Sequence, residues 1–284
     1  MAATLLGEAR VIEFTTIENL FEEIRCTVGD MLHVHGVSAQ QFAEIDKARG
    51  ERSSPRFHHF DASSKTLIIT IPTPLHECLH QPLWQTISYE INRMGLFNAW
   101  LPMGSPTLRA TQNSSGDGGE SDSSGGPDPE RSYYGAWPTL AIEVGYSQTL
   151  LGLRKKMKWW FSASDHQVKI VLLARFEHER GPRSIIIEKY VEVPQIRPGA
   201  TMTRAAARAM QLVPTCTQAI TITENPSNPL SYNVTRGALR LEFHLLFLRQ
   251  PRQGEGEGEG DIVISIQQLQ AYAARFWHIL RTRP

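Results

Sequence analysis

The stretch Trp137–Arg175 reads WPTLAIEVGYSQTLLGLRKKMKWWFSASDHQVKIVLLAR. Its pattern is strand, helix, strand. In Thr139–Tyr146, apolar and small residues alternate with the period of a strand, so Leu140, Ile142 and Val144 share one face. Thr139, Ala141, Glu143 and Gly145 share the other, and small neighbours leave room over Glu143. From Ser147 to about Phe161 the spacing turns helical, with Leu150, Leu153, Met157 and Trp160 as the core stripe. Arg154, Lys155 and Lys158 fall off that stripe. Val168–Phe176 returns the chain to the sheet. A carboxylate in the middle of a buried strand is costly unless it is paired or holds a cation. Glu143 is therefore the most informative residue of the chain.

Working outward, Thr15 and Glu18 have capping-box spacing before an apolar helical face of Ile17, Leu20, Phe21 and Ile24. A second helix is expected from Ser38, with Gln41 three residues on. Residues 1–55 thus read as a helical extension, closed by the polar stretch Ala48–Arg56. Arg56–Phe60 and Lys65–Ile71 read as a hairpin around Asp61–Ser64. After Pro72 and Pro74, a helix runs to about Gly95 with Leu83, Ile87, Ile91 and Met94 on one face.

Gly104–Pro129 contains NSSGDGGESDSSGGPDP, whose composition predicts a long loop. Further strands are expected at Arg183–Val193, Thr217–Thr223 and Ala238–Leu248. Thr203–Met210 reads as a short basic helix carrying Arg204 and Arg208, and Gly254–Asp261 as a flexible acidic loop. A last helix begins near Ser265, where Gln268 completes a capping box, and buries Leu269, Tyr272, Phe276 and Ile279.

Lys plus Arg and Asp plus Glu are both 29, so any basic face must be local. Hydrophobic residues at 41% suffice for a core. Cys26, Cys78 and Cys216 lie far apart and read as thiols of a reducing compartment. Glu8 and Arg10 interrupt the N-terminal stretch where a signal peptide needs an apolar core, and no window has the length of a membrane span. The expectation is an intracellular protein, nuclear or cytoplasmic, with no membrane partner. The glycosylation-like triplets at Asn113 and Asn233 then carry no meaning.

Together, WPTLAIEVGYSQTL, LRKKMKWWFSAS and HQVKIVLLARF resemble a group of fungal proteins of unknown role. The core of that group is similar to the PD-(D/E)XK restriction-endonuclease-like superfamily. LIITIPTPLHE and LRLEFHLLFLR are similar flanking pieces, and the resemblance covers most of residues 65–280. It implies an α/β fold: a mixed central sheet flanked by helices over residues 56–284, with C-terminal strand and helix additions. It implies a nuclease-like function, with Mg²⁺ as cofactor and nucleic acid as partner.

Glu143 matches the second acid of that motif. The first is Asp122, in the Asp-Ser-Ser pattern, or Asp128, in a literal Pro-Asp. The lysine expected two residues after Glu143 is replaced by Gly145. Similar proteins supply it from the following helix, where Lys155 is the first candidate and Lys158 the second, with Gln148 near the helix start and Glu77 a possible helper. Asp122, Glu143 and Lys155 then form the candidate catalytic set, with Asp122 and Glu143 as metal ligands.

Two other readings follow from the residues. One is a non-catalytic binding or scaffold protein on the same fold that has lost the lysine. The other is a zinc protease through His76-Glu77-Cys78-Leu79-His80, a literal HExxH. Against the protease, Pro82 should break the helix by clashing with the carbonyl of Cys78, no HExxHxxGxxH extension follows, and Glu90 lies too near on the same helix to be a third ligand. Arg154, Lys155, Lys156 and Lys158 beside Trp159 and Trp160 could meet a phosphate backbone or be a solvated helix face.

Overall fold

A computed structural model describes residues 9–50, 55–110, 116–178, 182–195, 211–252 and 258–282. The basic segment 203–210, the triplet beginning at Asn113 and the first half of the acidic run from Gly254 lie outside those residues.

The chain opens with β1 (Arg10–Glu13), α1 (Ile17–Cys26) and β2 (Met31–His35), and β2 pairs parallel to β1. Residues 9–50 are therefore not a purely helical extension. The four- and five-residue strands are too short to declare an alternation. Thr16, not Thr15, caps α1 by accepting from Asn19 N at 3.1 Å. The helix α2 (Ala39–Arg49) starts on the expected capping box between Ser38 and Gln41. The hairpin follows as β3 (Arg56–Asp61) and β4 (Thr66–Thr70).

Next comes α3 (Pro74–Arg93), which passes through Pro82 without ending. This corrects the expected break. Proline removes one backbone bond and crowds one carbonyl. Leu75, Leu79, Leu83, Ile87 and Ile91, all buried on one face, outweigh that cost, since each contributes about 1.5–3 kcal/mol.

A 3₁₀ turn at Phe97–Ala99 leads to β5 (Trp100–Pro102), β6 (Leu108–Arg109), β7 (Gly118–Gly119) and β8 (Ser123–Pro127). The stretch expected to be a loop thus supplies three strands, and all five residues of β8 are buried. Its small residues are required by packing. A Cβ on Gly125 would stand 2.8 Å from atoms of the Trp84 and Trp100 rings.

Then follow β9 (Leu140–Gly145), α4 (Leu150–Ala163), β10 (Ile170–Glu177), β11 (Ser184–Pro194), β12 (Leu212–Asn225) and β13 (Asn228–Thr235). The chain ends with β14 (Leu239–Leu241), α5 (Phe243–Phe247), β15 (Ile262–Ile264) and α6 (Ile266–Thr282). The single strand expected over Ala238–Leu248 is a short strand and then a helical turn. Phe243 and Phe247, one turn apart, stack at 4.6 Å, which a strand would not allow. At α6, Ser265 and Gln268 exchange the two bonds of a capping box, as expected.

The protein is mixed α/β. Seven strands form one sheet in the order β13-β12-β11-β10-β9-β8-β5. Within it β8 runs antiparallel to both β5 and β9, β10 runs parallel to β9, and β11 turns antiparallel again. Leu140, Ile142 and Val144 pack toward α3 and α6, while Ala141 packs with Leu153, Met157 and Trp160 of α4. The large sheet is thus covered by helices on both faces, with the strand alternation read from the sequence.

Six further strands form a second sheet, β1-β2-β4-β3-β7-β6, around Leu32, Phe42, Phe57 and Phe60, and β14 pairs antiparallel with β15 alone. The second sheet takes strands from both sides of residue 55, so that position falls inside a sheet. The chain steps from the small sheet to the large one between Gly119 and Ser123. No helix among the described residues is long and apolar enough to cross a membrane.

Candidate functional site

Asp122 and Glu143 lie at that step. β8 and β9 pair as Ser123↔Ile142 and Ser124↔Ala141, so Asp122 arrives beside Glu143 where β8 begins. Asp122 N donates to Ile142 O at 3.1 Å, and Val144 N donates to Asp122 Oδ2 at 2.7 Å. The acid is fastened to the strand that carries Glu143. Asp128, the other candidate, is exposed beyond the far end of β8.

Glu143 faces α4 and is wholly buried. Trp160 Nε1 donates to its Oε1 at 2.6 Å, and Lys156 Nζ donates to its Oε2 at 2.8 Å. Lys155, one position earlier, is exposed, and Lys158 is exposed as well. The residue against the acid is therefore Lys156, not Lys155. A helix turns about 100° per residue, so adjacent lysines cannot share a direction. Position 156 is three after Leu153 and four before Trp160, which puts it on the core stripe. That spacing was the available signal.

Gly145 explains why the lysine cannot come from the strand. A Cβ there would stand 2.8 Å from the Gln148 carbonyl oxygen and 3.1 Å from Leu153 Cδ1. The turn into α4 closes over the position.

Burial pushes the Glu143 carboxyl up to about 8, and the Asp122 carboxylate adds to the rise. The Lys156 ammonium and the Trp160 indole N–H pull the other way. Asp122 is held below the usual carboxylate range. Burial opposes this, but His76, His80, Lys156 and Arg56 outweigh it. Asp122 and Glu143, brought together by adjoining strands, offer oxygen donors only. Oxygen donors are what a hard divalent cation takes, and here Lys156, Trp160 and the Val144 N–H already bond to them.

Lys156 has further partners. Its Nζ donates to the Glu120 carbonyl and lies 2.9 Å from His58 Nδ1. The side-chain amide of Gln148 lies 2.8 Å from His58 Nε2. Burial pushes His58 well below the ordinary histidine value, and Lys156 adds to it. His58 and Gln148 carry the small sheet and the start of α4 onto the acid–lysine pair.

On the α3 side, ligand atoms of His76, Glu77 and His80 lie within 4.8 Å of one another. The continuous helix gathers them as an HExxH would. Other partners are already there, however. Arg56 lies 3.2 Å from Glu77 Oε1, 3.3 Å from His80 Nε2 and 3.6 Å from Asp122 Oδ1. His76 Nε2 lies 3.4 Å from Asp122 Oδ1, and His80 Nδ1 lies 2.9 Å from Ser123 Oγ. Burial disfavours the charged form of His76, yet Asp122 and Glu77 together hold its pKa above the ordinary value. The Arg56 guanidinium thus already bonds to two of the three residues, Glu77 and His80. Glu90 turns away to pair with Arg93 at 2.8 Å.

The basic run of α4 does not form one face. Arg154 Nε donates to Glu188 Oε2 at 2.9 Å, and Lys156 points inward. Cys26 and Cys216 are exposed, Cys78 is half-buried, and all three are free thiols.

Two cavities flank the centre. One, of about 450 Å³, is lined by Asp122, Ser123, Arg49 and Arg56. The other, of about 700 Å³, lies between the small sheet and the start of α4 and reaches Lys156 and His58.

No protein-family model matches this chain, and no curated protein matches it.

Proposed function

We propose that the chain is nuclease-like, built around the two-acid-and-lysine centre of a Mg²⁺-dependent phosphodiesterase. One observation carries the reading: Lys156 reaches Glu143 at 2.8 Å while Asp122 is bonded to the same strand at Val144. It is the arrangement that a resemblance to the PD-(D/E)XK superfamily implies, with the lysine moved to the next helix. Asp122 and Glu143 would hold the metal. Bound there, Mg²⁺ would supply Lewis-acid polarisation of a phosphoryl oxygen. Trp160 orients the Glu143 carboxylate, and Lys156 keeps a positive charge beside it. The small sheet screens the centre from bulk water, which strengthens every charge interaction inside it.

A second reading is favoured by one specific observation. Lys156 has three N–H donors, and Glu143, His58 and the Glu120 carbonyl take all three. On that reading the ion pair is structural and the chain is a binding or scaffold protein.

Incubation with Mg²⁺ or Mn²⁺ on single- and double-stranded DNA and RNA separates the two. Cleavage by the protein, lost in both Glu143→Ala and Lys156→Ala, is the expected result. Equal cleavage by protein and variants would mark a contaminant, and no cleavage by a folded protein would favour the scaffold.

A further inference from the structure

The larger cavity carries more positive than negative charge. Lys155 and Lys156 line it against a single acid, Asp61, while His33, His58 and His59 in the same lining are held toward the neutral form by burial. That acid is occupied: Asp61 Oδ1 accepts from Ser63 Oγ at 2.7 Å and from Ser63 N at 2.9 Å. Lys155 is exposed at the wall and makes no ion pair among the described residues. The smaller cavity differs, because its arginines are matched: Arg49 pairs with Glu120 at 2.6 Å and Arg56 with Glu77 at 3.2 Å.

Gln148 supplies a second observation. It is 7% exposed, and with its NH₂ toward His58 its amide oxygen is buried with no hydrogen-bond partner among the described residues. Lys156 can only donate, so His58 Nδ1 accepts from it and the His58 proton sits on Nε2. That N–H must donate to Gln148, so the amide atom facing His58 is the oxygen. The NH₂ group is then the unpartnered end, a buried donor at the wall of the cavity. The first turn of α4, capped by Thr149 and opening at Leu150, adds its positive end beside it.

The lining is apolar at Met31 and Ile68 of the small sheet and at Leu151 of α4. A volume of about 700 Å³ is that of a small-molecule site.

We propose that this cavity binds a nucleotide, its phosphate on Lys155, the Gln148 amide and the start of α4, and its base on the apolar lining. The ligand class deepens the nuclease-like reading and rests on it: the cavity would receive a free nucleotide or the terminal nucleotide of a strand beside Lys156. No turnover is needed for binding there.

Calorimetric titration with adenosine 5′-monophosphate and with inorganic phosphate, in the absence of divalent metal, tests this. The nucleotide should bind more tightly than phosphate alone. Lys155→Ala should weaken the nucleotide roughly tenfold, the loss of one charge-assisted hydrogen bond. Gln148→Leu should weaken it as well, while Lys158→Ala, exposed on the same helix, should not. A 5′-phosphorylated oligonucleotide that displaces the monophosphate assigns the cavity to strand ends, and one that does not assigns it to free nucleotide. No binding of the monophosphate, or equal binding by Lys155→Ala and the unaltered protein, overturns the proposal. Binding without any polymer cleavage upholds the cavity and sinks the reaction. Cleavage without nucleotide binding does the reverse.

Discussion

Lys156 and Glu143 meet at 2.8 Å with side chains 2% and 0% exposed. A pair taken so far out of water contributes little net stability, yet breaking one half of it is costly. Lys156→Met should therefore destabilise the fold by about 3–5 kcal/mol, read as a shift in the urea midpoint. The double variant Lys156→Met with Glu143→Leu should recover much of that loss. A single variant as stable as the unaltered protein would show that the pair is not desolvated.

Gly145 tolerates no side chain for a reason of packing. Gly145→Ala drives a Cβ to within 2.8 Å of the Gln148 carbonyl. A loss of about 1–3 kcal/mol is expected, as for an overpacked core. Gly145→Lys, which restores the literal spacing of the nuclease motif, should lose stability and gain no cleavage. Thermal unfolding and the cleavage assay read the two halves separately.

His59 sets an acid limit. Burial and the nearby Lys156 ammonium push its pKa down to about 4, against the pull of Asp61 and Asp117. The unfolded chain takes up this proton near 6.5, the folded chain near 4. Stability is therefore full above pH 6.5 and falls as the pH drops toward 4, where the loss levels off. The loss is on the order of 3 kcal/mol. His58 shifts in the same direction and adds a slope of the same sign. His59→Phe keeps a ring beside Trp159, which lies 5.2 Å away, and should lose less stability than the unaltered protein between pH 7.5 and 4.5. Equal losses would remove His59 as the source.

Arg56 stands in for a cation among His76, Glu77, His80 and Asp122. Removing it leaves nitrogen and oxygen donors of the kind zinc takes. Arg56→Met should then bind Zn²⁺ and unfold at a higher temperature when zinc is added, while the unaltered protein should show little change. A variant indifferent to zinc would mean that the helix holds the donors in the wrong directions.

Much of this architecture is written in periodicity. Thr139–Tyr146 alternates and packs as it alternates, and α4 keeps its Leu153, Met157 and Trp160 stripe. Asp122 was legible through its Asp-Ser-Ser setting. Lys156 was legible in principle, since it shares that stripe, but a lysine on a core face is the less common choice. β8 was hidden for a physical reason. Its sequence, SSGGP, has no strand propensity, because the Trp84 and Trp100 rings leave space for nothing larger at Gly125. Of the small sheet, only the β3–β4 hairpin was legible. Its other strands pair across long separations, and no local pattern announces such pairing.

The step between the sheets has a mechanical meaning. Glu120, Ser121 and Asp122 are all that separates Gly119 from Ser123, a reach of roughly 14 Å at full stretch. Glu120 is clamped to β3 by two bonds of 3.0 Å with Phe57, and Asp122 is clamped to β9 through Ile142 and Val144. The roof and the acid are thus geared together. With both ends tied and only three residues between them, the small sheet has little freedom to shift without straining the bonds that seat Asp122.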